Sequence, residues 1–528
     1  LQATPWTAAE NGPESIFRTG VSYNNSISLD GGTDRSTYRL GYTLYDQEGI
    51  LPNSSFSRGS VRLNIDSQIN DFISVRLRSN TTVSEQNNAP TGGGANNPLR
   101  FAYLTSNVYP FYERNANNEI VRDEVTNRPL YNYNAPTVLD FHPVGLAEVD
   151  RYLNETMRST NNIGANINLM EQLVFKSDLS LDVINSKDNR YWNRDHGNAE
   201  PVGGRASQFY NRYVTLNSTN QLQFIEDFED HSFDAIIGQE YFSRHDEFLS
   251  AETTSFVTGL LTELSAGSSI TDASSSFSDR RLISFFSRLN YGYKDKYYLT
   301  TSIRRDGASE FGRNNKWGTF GSVGASWNIS EDSFMNDIDF INTLKLRASY
   351  GTTGNNSIGA YAAQGLLGFS SAFDYNGLGG STYTQLANPD LKWEVINSTD
   401  VGVEFEMLNS RLSGELVYWT RTSTDLLFSR PIPVSTTGFS DIESNLAEIK
   451  NSGIEANFSY RLINNRDMVW SVNANITTLN NEITSLPVDF VQNGTKRFEE
   501  GVDRYQYYIQ EFAGVDEATG APLWFRDI

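Results

Sequence analysis

The chain has 528 residues, with 42 Lys+Arg against 64 Asp+Glu for a net charge of −22, which excludes the basic, phosphate-neutralising face of a nucleic-acid binder. Mean hydropathy is −0.46 and the apolar runs are only a few residues long, which excludes a helical membrane protein, since each span needs about 20 consecutive apolar residues. Cysteine is absent, so disulfides, thiolate nucleophiles and Cys-based zinc sites fall away together, while aromatics reach 12 % and are diluted one for one with polar residues.

In chain order, the dominant signal is period two. Thr37–Asp46 places Tyr38, Leu40, Tyr42 and Leu44 on one face and Thr37, Arg39, Gly41 and Thr43 on the other. Arg58–Asp66 and Asn162–Glu171 repeat the pattern through Val61/Leu63/Ile65 and Ile163/Ala165/Ile167/Leu169. Later segments are Leu344/Leu346/Ala348/Tyr350, Val401/Val403/Phe405/Met407, Ile454/Ala456/Phe458/Tyr460 and Trp470/Val472/Ala474/Ile476. Side chains alternate faces in a strand, so each segment has one greasy and one wet face. About seventeen such segments of roughly 9–14 residues are expected, long enough to cross a bilayer when tilted.

The connections alternate in length. Short ones fall at Gly31–Ser36, Ser67–Asp71, Glu171–Gln172, Ile225–Asp230, Lys294–Lys296, Leu408–Ser410 and Ile463–Asp467. Long ones fall at Val83–Glu155, Ser186–Ala206, Arg244–Asp279, Thr352–Ile396, Ser423–Ala447 and Asn480–Asp503, with Ser330–Asn342 intermediate in a short slot. Tight turns at one end and bulk at the other are the sidedness of an outer-membrane barrel. An unpaired strand edge in hydrocarbon leaves about ten backbone groups unsatisfied at several kcal/mol each, which demands closure. The predicted fold class is therefore all-β: a large antiparallel transmembrane β-barrel. A soluble solenoid would show a fixed repeat length, and none is present.

Specific stretches go further. Leu29-Asp30-Gly31-Gly32-Thr33-Asp34 leads into Tyr42-Thr43-Leu44-Tyr45-Asp46-Gln47-Glu48-Gly49-Ile50. Phe286–Leu299 (FSRLNYGYKDKYYL), Arg304–Gly312 (RRDGASEFG), Leu344–Asn355 (LKLRASYGTTGN), Asn388–Glu394 (NPDLKWE), Asn451–Glu455 (NSGIE) and Gly514–Pro522 (GVDEATGAP) follow in order. Together these resemble the barrel domain of SusC/RagA-type TonB-dependent transporters of Bacteroidetes, from about residue 20 to the end. The resemblance implies a 22-strand barrel of which residues 1–528 hold part. The amino-terminal plug, the TonB box and the closing carboxy-terminal strands are expected outside this sequence. It implies an outer-membrane location and TonB-energised import of glycan or peptide cargo. The implied partners are a SusD-like lipoprotein lid, TonB–ExbB–ExbD, outer-membrane lipid and lipopolysaccharide, and a dimer of transporter–lipoprotein pairs. The readings left open beside it are a passive porin-like barrel and a scaffolding or adhesive barrel without TonB dependence.

No catalytic constellation stands out, and neither a cofactor nor a metal site is expected. The four histidines, His142, His196, His231 and His245, lack metal-helix spacing and read as structural or solvated. Asp123-Glu124 reads as solvated charge rather than a cation site. Asn80, Asn217, Asn397 and Asn457 begin Asn-x-Ser/Thr triplets and are expected to face the lumen where they fall in strands. Candidate cargo contacts are loop aromatics, whose ring faces stack on sugars or cover apolar peptide side chains: Tyr109, Phe111, Tyr112, Tyr191, Trp192, Phe369, Phe373, Tyr375 and Tyr383.

Overall fold

The structure is a computed structural model that describes residues 16–88, 97, 99, 110–133 and 142–525. The first strands are β1 (Ser22–Gly32), β2 (Ser36–Glu48), β3 (Ser55–Gln68) and β4 (Ile73–Asn87). A short helix α1 (Pro143–Val149) precedes β5 (Arg151–Asn168), β6 (Leu173–Trp192), β7 (Arg205–Phe228), β8 (His231–Phe256) and β9 (Gly267–Tyr293). Next come β10 (Tyr297–Ala308), β11 (Trp317–Asn328) and β12 (Ile341–Asn355), then a hairpin of β13 (Leu366–Tyr375) and β14 (Leu378–Gln385). β15 (Glu394–Met407) and β16 (Leu412–Thr424) precede a second hairpin, β17 (Leu427–Pro431) and β18 (Asp441–Asn445). The chain continues through β19 (Glu448–Asn464), β20 (Val469–Thr477) and β21 (Asn480–Ser485) to the short pieces β22 (Val491–Asn493), β23 (Lys496–Phe498), β24 (Phe512–Val515) and β25 (Pro522–Trp524).

Seventeen of these strands form one sheet, and its ladders are antiparallel. β20 and β21 share one edge position beside β19. They are broken at Thr478, whose hydroxyl accepts the Ile454 N–H at 2.9 Å. Two compact units divide the chain: residues 1–167, 177–218 and 242–279 in one, and 168–176, 219–241 and 280–528 in the other.

In the first unit the register carries the alternation across five strands. One row runs Leu29–Leu40–Leu63, and the row two residues below runs Gly31–Tyr38–Ile65–Leu77–Ile163. The opposite face carries ion pairs: Arg39–Asp30 at 3.2 Å, Arg78–Asp66 at 2.6 Å, Arg158–Asp182 at 3.1 Å, and Arg76–Asp178. Gly164 lies beneath the last of these. A side chain there would collide with Arg76 and Asp178, so glycine lets the pair cross the strand between them. The second unit repeats the scheme. Val401, Tyr418 and Ile454 share one row, while Arg347 on the other face bridges Glu404 at 2.9 Å and Glu415 at 3.3 Å. Asn80 and Asn457 lie on the charged face as expected. Asn397 does not, because it sits four residues from Val401 on the apolar face, where its side chain accepts from the Tyr350 hydroxyl at 3.4 Å.

The tight turns lie where alternation predicts them, and Asn supplies their chemistry. Asn70 Oδ1 accepts the N–H groups of Phe72 and Ile73 at 2.9 and 2.8 Å, and Asn465 does the same for Asp467 and Met468. The intermediate connection is two single 3₁₀ turns, Ile329–Glu331 and Ser333–Met335. The expected strand lengths are corrected: β7, β8 and β9 have 24, 26 and 27 residues. Most of Arg244–Asp279 is therefore strand, not loop, and β6 runs to Trp192. No helix among the described residues is long and apolar enough to cross a membrane; the elements long enough to cross are strands.

Leu40→Arg, on the apolar face, is expected to cost about 2–4 kcal/mol of barrel stability, and Thr43→Arg, on the charged face, less than about 1. Urea titration of the full-length protein in bilayers, followed by heat-modifiable gel mobility, measures the difference.

Candidate functional site

The long connections gather the buried apolar residues. In the second unit Ala308, Phe311, Phe320, Ala362, Ala363, Leu391 and Trp393 form one cluster, flanked by Leu282, Ile358, Val395 and Leu427. Two of the motifs noted above build it. RRDGASEFG supplies Phe311 and NPDLKWE supplies Leu391 and Trp393, with the Phe311 and Trp393 ring centroids 4.8 Å apart. The Gly312 N–H donates to Leu391 O at 3.0 Å, and Trp393 Nε1 donates to Lys316 O at 3.0 Å. A Cβ on Gly312 would collide with the Pro389 carbonyl oxygen, so only glycine permits the two motifs to lie this close. Arg304, at the head of the first motif, donates to Glu240 at 2.8 Å, Ser284 at 2.7 Å and Asp306 at 2.6 Å, anchoring the loop base to the charged face of the sheet.

Beside this cluster lies a cavity of about 340 Å³, lined among others by Glu394, Leu427, Phe428, Ile483, Phe498 and Arg504. Its walls mix apolar side chains with four polar ones, Asn355, Ser357, Glu394 and Arg504.

The β13–β14 hairpin presents its rings to solvent. Leu367 pairs with Tyr383, and Phe369, two residues on, shares their face, while Tyr375 pairs with Leu378 at the tip. Phe369 is 78 % exposed, Tyr375 84 % and Tyr383 67 %, and Phe373 is exposed as well. Leu367 and Leu378 extend this surface, although aromatic content alone does not single them out.

In the first unit the aromatics do the opposite. Phe111 sits edge-on to Tyr112 at 5.0 Å and to His142 at 4.4 Å, and Tyr112 stacks on Tyr131 at 5.6 Å. Tyr133 stacks face to face on His196 at 3.7 Å. Tyr191 is corrected: at 1 % exposure, edge-on to Phe256 and clustered with Ala206, it packs the loops together and offers no ring face to cargo in this conformation. Trp192 is half-buried, edge-on to Tyr152 at 5.8 Å, with Arg205 over its ring. Tyr109 lies outside the described residues.

His142 is structural. Its Nδ1 accepts the Gly145 N–H at 2.9 Å and caps α1, and burial pushes its pKa down to about 3 against a hydrogen bond at the Phe111 backbone. Burial and the Glu148 carboxylate push the Tyr131 phenol up. Asp123 caps a turn, accepting from Val125 N at 3.1 Å, Thr126 N at 2.7 Å and Thr126 Oγ1 at 2.8 Å, bonds that lower its pKa. Asp516 in the GVDEATGAP stretch makes the same set with Ala518 and Thr519, so both Asp-Glu-x-Thr segments encode one turn. Among the described residues no three His, Cys, Asp or Glu side chains form a metal-holding group.

Comparison with known proteins gives a consistent result. The family described as TonB dependent receptor-like, beta-barrel matches residues 100–524. TonB-dependent receptor P3 of Formosa agariphila is 30 % identical over 96 % of this chain and 51 % of its own length. TonB-dependent receptor SusC of Bacteroides thetaiotaomicron is 28 % identical over 92 % of this chain and 49 % of its own. The RagAB peptide transporter structure superposes with a TM-score of 0.81 at 26 % identity, covering 99 % of this chain and 58 % of that one. The chain thus spans about half the length of the curated relatives it matches.

Trp393→Ala should open a cavity costing about 3–5 kcal/mol and loosen the loop cluster. Protease cleavage within 309–316 is expected to accelerate while heat-modifiable mobility of the barrel persists. His142 has a folded pKa below its unfolded value, so the unfolded chain binds the extra proton between the two. Stability from this group is complete above about pH 6.5 and falls as pH drops toward 3. The protection factor of the Gly145 amide, which corrects for the intrinsic pH dependence of exchange, should fall over that window in the wild type and lose this dependence in His142→Asn.

Proposed function

The chain belongs to the TonB-dependent receptor β-barrel family of outer-membrane proteins, and on that premise we propose that it is the barrel portion of an active importer for glycan or peptide cargo. Residues 1–528 supply part of the barrel wall and its long outer loops, and the rest of the full-length protein supplies the plug and the strands that close the cylinder. A SusD-like lipoprotein covers the loop end, and TonB–ExbB–ExbD supplies the work through the plug. Outer-membrane lipid and lipopolysaccharide surround the apolar belt, and two transporter–lipoprotein pairs associate.

The observation that carries this reading is the β13–β14 hairpin, which presents Leu367, Phe369, Tyr375 and Tyr383 to solvent beside a loop cluster built by the family's own motifs. Four large apolar side chains exposed together on a rigidly anchored loop mark a contact surface, and flat rings suit both sugar faces and apolar peptide side chains. The acidity of the chain disfavours polyanions as cargo.

The test is uptake of labelled oligopeptides and oligosaccharides by cells carrying or lacking the full-length gene. Import should require both the gene and TonB, and persistence without TonB overturns the active mechanism in favour of a passive pore. Phe369→Ala with Tyr383→Ala is expected to raise the half-saturation concentration about tenfold, equivalent to about 1.4 kcal/mol of lost ring contact, without changing the amount of protein in the outer membrane.

A further inference from the structure

The outward face of β9, β10 and β11 is bounded by two groups of rings. Its lowest row, beside the tight turn, is Tyr293/Tyr297/Trp327, and its upper rows are Phe285/Arg305/Thr319 and Ile283/Gly307/Trp317. Tyr293 stacks on Tyr297 at 6.5 Å and Tyr297 on Trp327 at 6.1 Å, while Phe285 stacks on Trp317 at 6.4 Å. The tilted strand from Tyr297 to Gly307 rises about 25 Å, the height of a barrel's apolar band. The two ring groups are therefore its lower and upper girdles, and Arg305 stands just beneath the upper one on the lipid-facing side.

Arg304 and Arg305 are neighbours with opposite fates. Arg304 points inward and spends its guanidinium on Glu240 and Asp306. Arg305 points outward, is exposed and has no carboxylate partner among the described residues; its guanidinium carbon lies 5.5 Å from the Trp317 ring centroid. The Trp317 ring lies against Gly307, where a Cβ would come within 3.0 Å of ring atoms, so glycine makes room for it beside the cation. Arg281 follows on the same face of β9, two places above Ile283, and is likewise exposed and without a carboxylate partner among the described residues. Its backbone is tied to the RRDGASEFG stretch: the Arg281 N–H donates to Ser309 Oγ at 2.9 Å, and the Ser309 N–H donates to Arg281 O at 3.0 Å. The next outward carboxylate on β9, Asp279, is taken by His245 Nδ1 at 2.9 Å. Below the two cations the same face carries Leu299, Ile303 and Val323, all exposed.

We propose that Arg305, Arg281 and Trp317 seat the phosphate-bearing headgroup of an outer-leaflet glycolipid, with its acyl chains lying down the face below. A guanidinium at the edge of hydrocarbon needs a counter-charge, and a chain of net charge −22 supplies none to these two. The planar fork of arginine matches phosphate oxygens two at a time, and such charge-assisted bonds are the strong ones. Trp317 holds the Arg305 cation over its ring face and suits the headgroup zone. Cations above and aliphatic side chains below follow the order of headgroup and chains in a lipid of the outer leaflet. Free phosphate would leave the lower half of this surface unused. The proposal rests on the outer-membrane reading above and deepens its contact with lipopolysaccharide by giving it a fixed seat.

The test titrates the full-length protein in detergent micelles with phosphorylated lipid A and with the same lipid A stripped of its phosphates, bound lipid being read by native mass spectrometry. The phosphorylated form is expected to bind about tenfold more tightly, and inorganic phosphate in large excess should not displace it. Arg281→Gln with Arg305→Gln should weaken binding of the phosphorylated form about tenfold, and Arg39→Gln, on the inner face, should leave it unchanged. Equal binding of the two lipid A forms, displacement by inorganic phosphate, or unchanged binding by the double variant overturns the proposal. The lipid comparison on the wild type decides the matter where the variant fails to assemble. Uptake by cells carrying the same proteins separates the two readings: import by a protein indifferent to the lipid's phosphate sinks this inference alone, and lipid binding without import sinks the importer alone.

Discussion

Hydrocarbon offers no hydrogen-bond partner, and the rest of the architecture follows from that. Every backbone N–H and C=O in the belt must find its partner on a neighbouring strand, so the ladders are long and the connections stay outside. β3 and β4 pair at fourteen successive positions from Ser55/Asn87 to Gln68/Ser74, and β15 and β16 pair at thirteen from Val395/Thr424 to Met407/Leu412. The same constraint sorts side chains. Leucine and tyrosine rows occupy one face, and Arg39, Arg76 and Arg347 lie on the other, each with a carboxylate on an adjacent or next-but-one strand. Such pairs gain specificity of register more than net stability, since solvent screens them.

Sheet faces of this kind bury little, and the buried clusters of the described chain all sit where the long connections meet. There the family motifs take on their meaning. Gly312 against Pro389, Phe311 against Trp393 and the Arg304 hub together make a scaffold, not a binding group. The scaffold holds the ends of β10 and β15 in fixed relation, so the hairpin between β12 and β15 projects from a firm base.

What could be read from sequence divides along the same line. Faces, turns and the approximate strand number were legible because lipid imposes period two and Asn or Asp punctuates the turns. Strand length was not. Above the belt both faces of β8 are wet, as in Ser243-Arg244-His245-Asp246-Glu247, so alternation vanishes while pairing continues. His245 Nδ1 then lies 2.9 Å from Asp279 on β9, and Ser250 bonds Ser274 at 2.8 Å. Tyr191 shows a related effect: only residues distant in sequence, Ala206 and Phe256, the latter 65 positions later, close over its ring. Phe369, Tyr375 and Tyr383 stand exposed on the β13–β14 hairpin, where Gly377 and Gly379 at the tip have only open space around them.

Asn397 and the Ser79–Asn161 string show what a departure from the pattern means in such a sheet. Asn397 is an outward polar group near the end of its belt, where the Tyr350 hydroxyl reaches it and water is close. Ser79, Thr81, Ser159 and Asn161 are enclosed by the apolar rows Val83/Met157 above and Leu77/Ile163 below, so no short displacement brings them to water. Composition treats the two cases alike, as polar residues on a greasy face. Register separates them, because it gives the depth of each residue and hence the cost of leaving its donors unspent. A polar residue at the rim needs no explanation, whereas those inside the belt bond to one another: Ser79 Oγ donates to Asn161 Oδ1 at 2.6 Å, Asn161 Nδ2 donates to Ser159 Oγ at 3.0 Å, and the Ser159 and Thr81 hydroxyls share a proton at 3.1 Å.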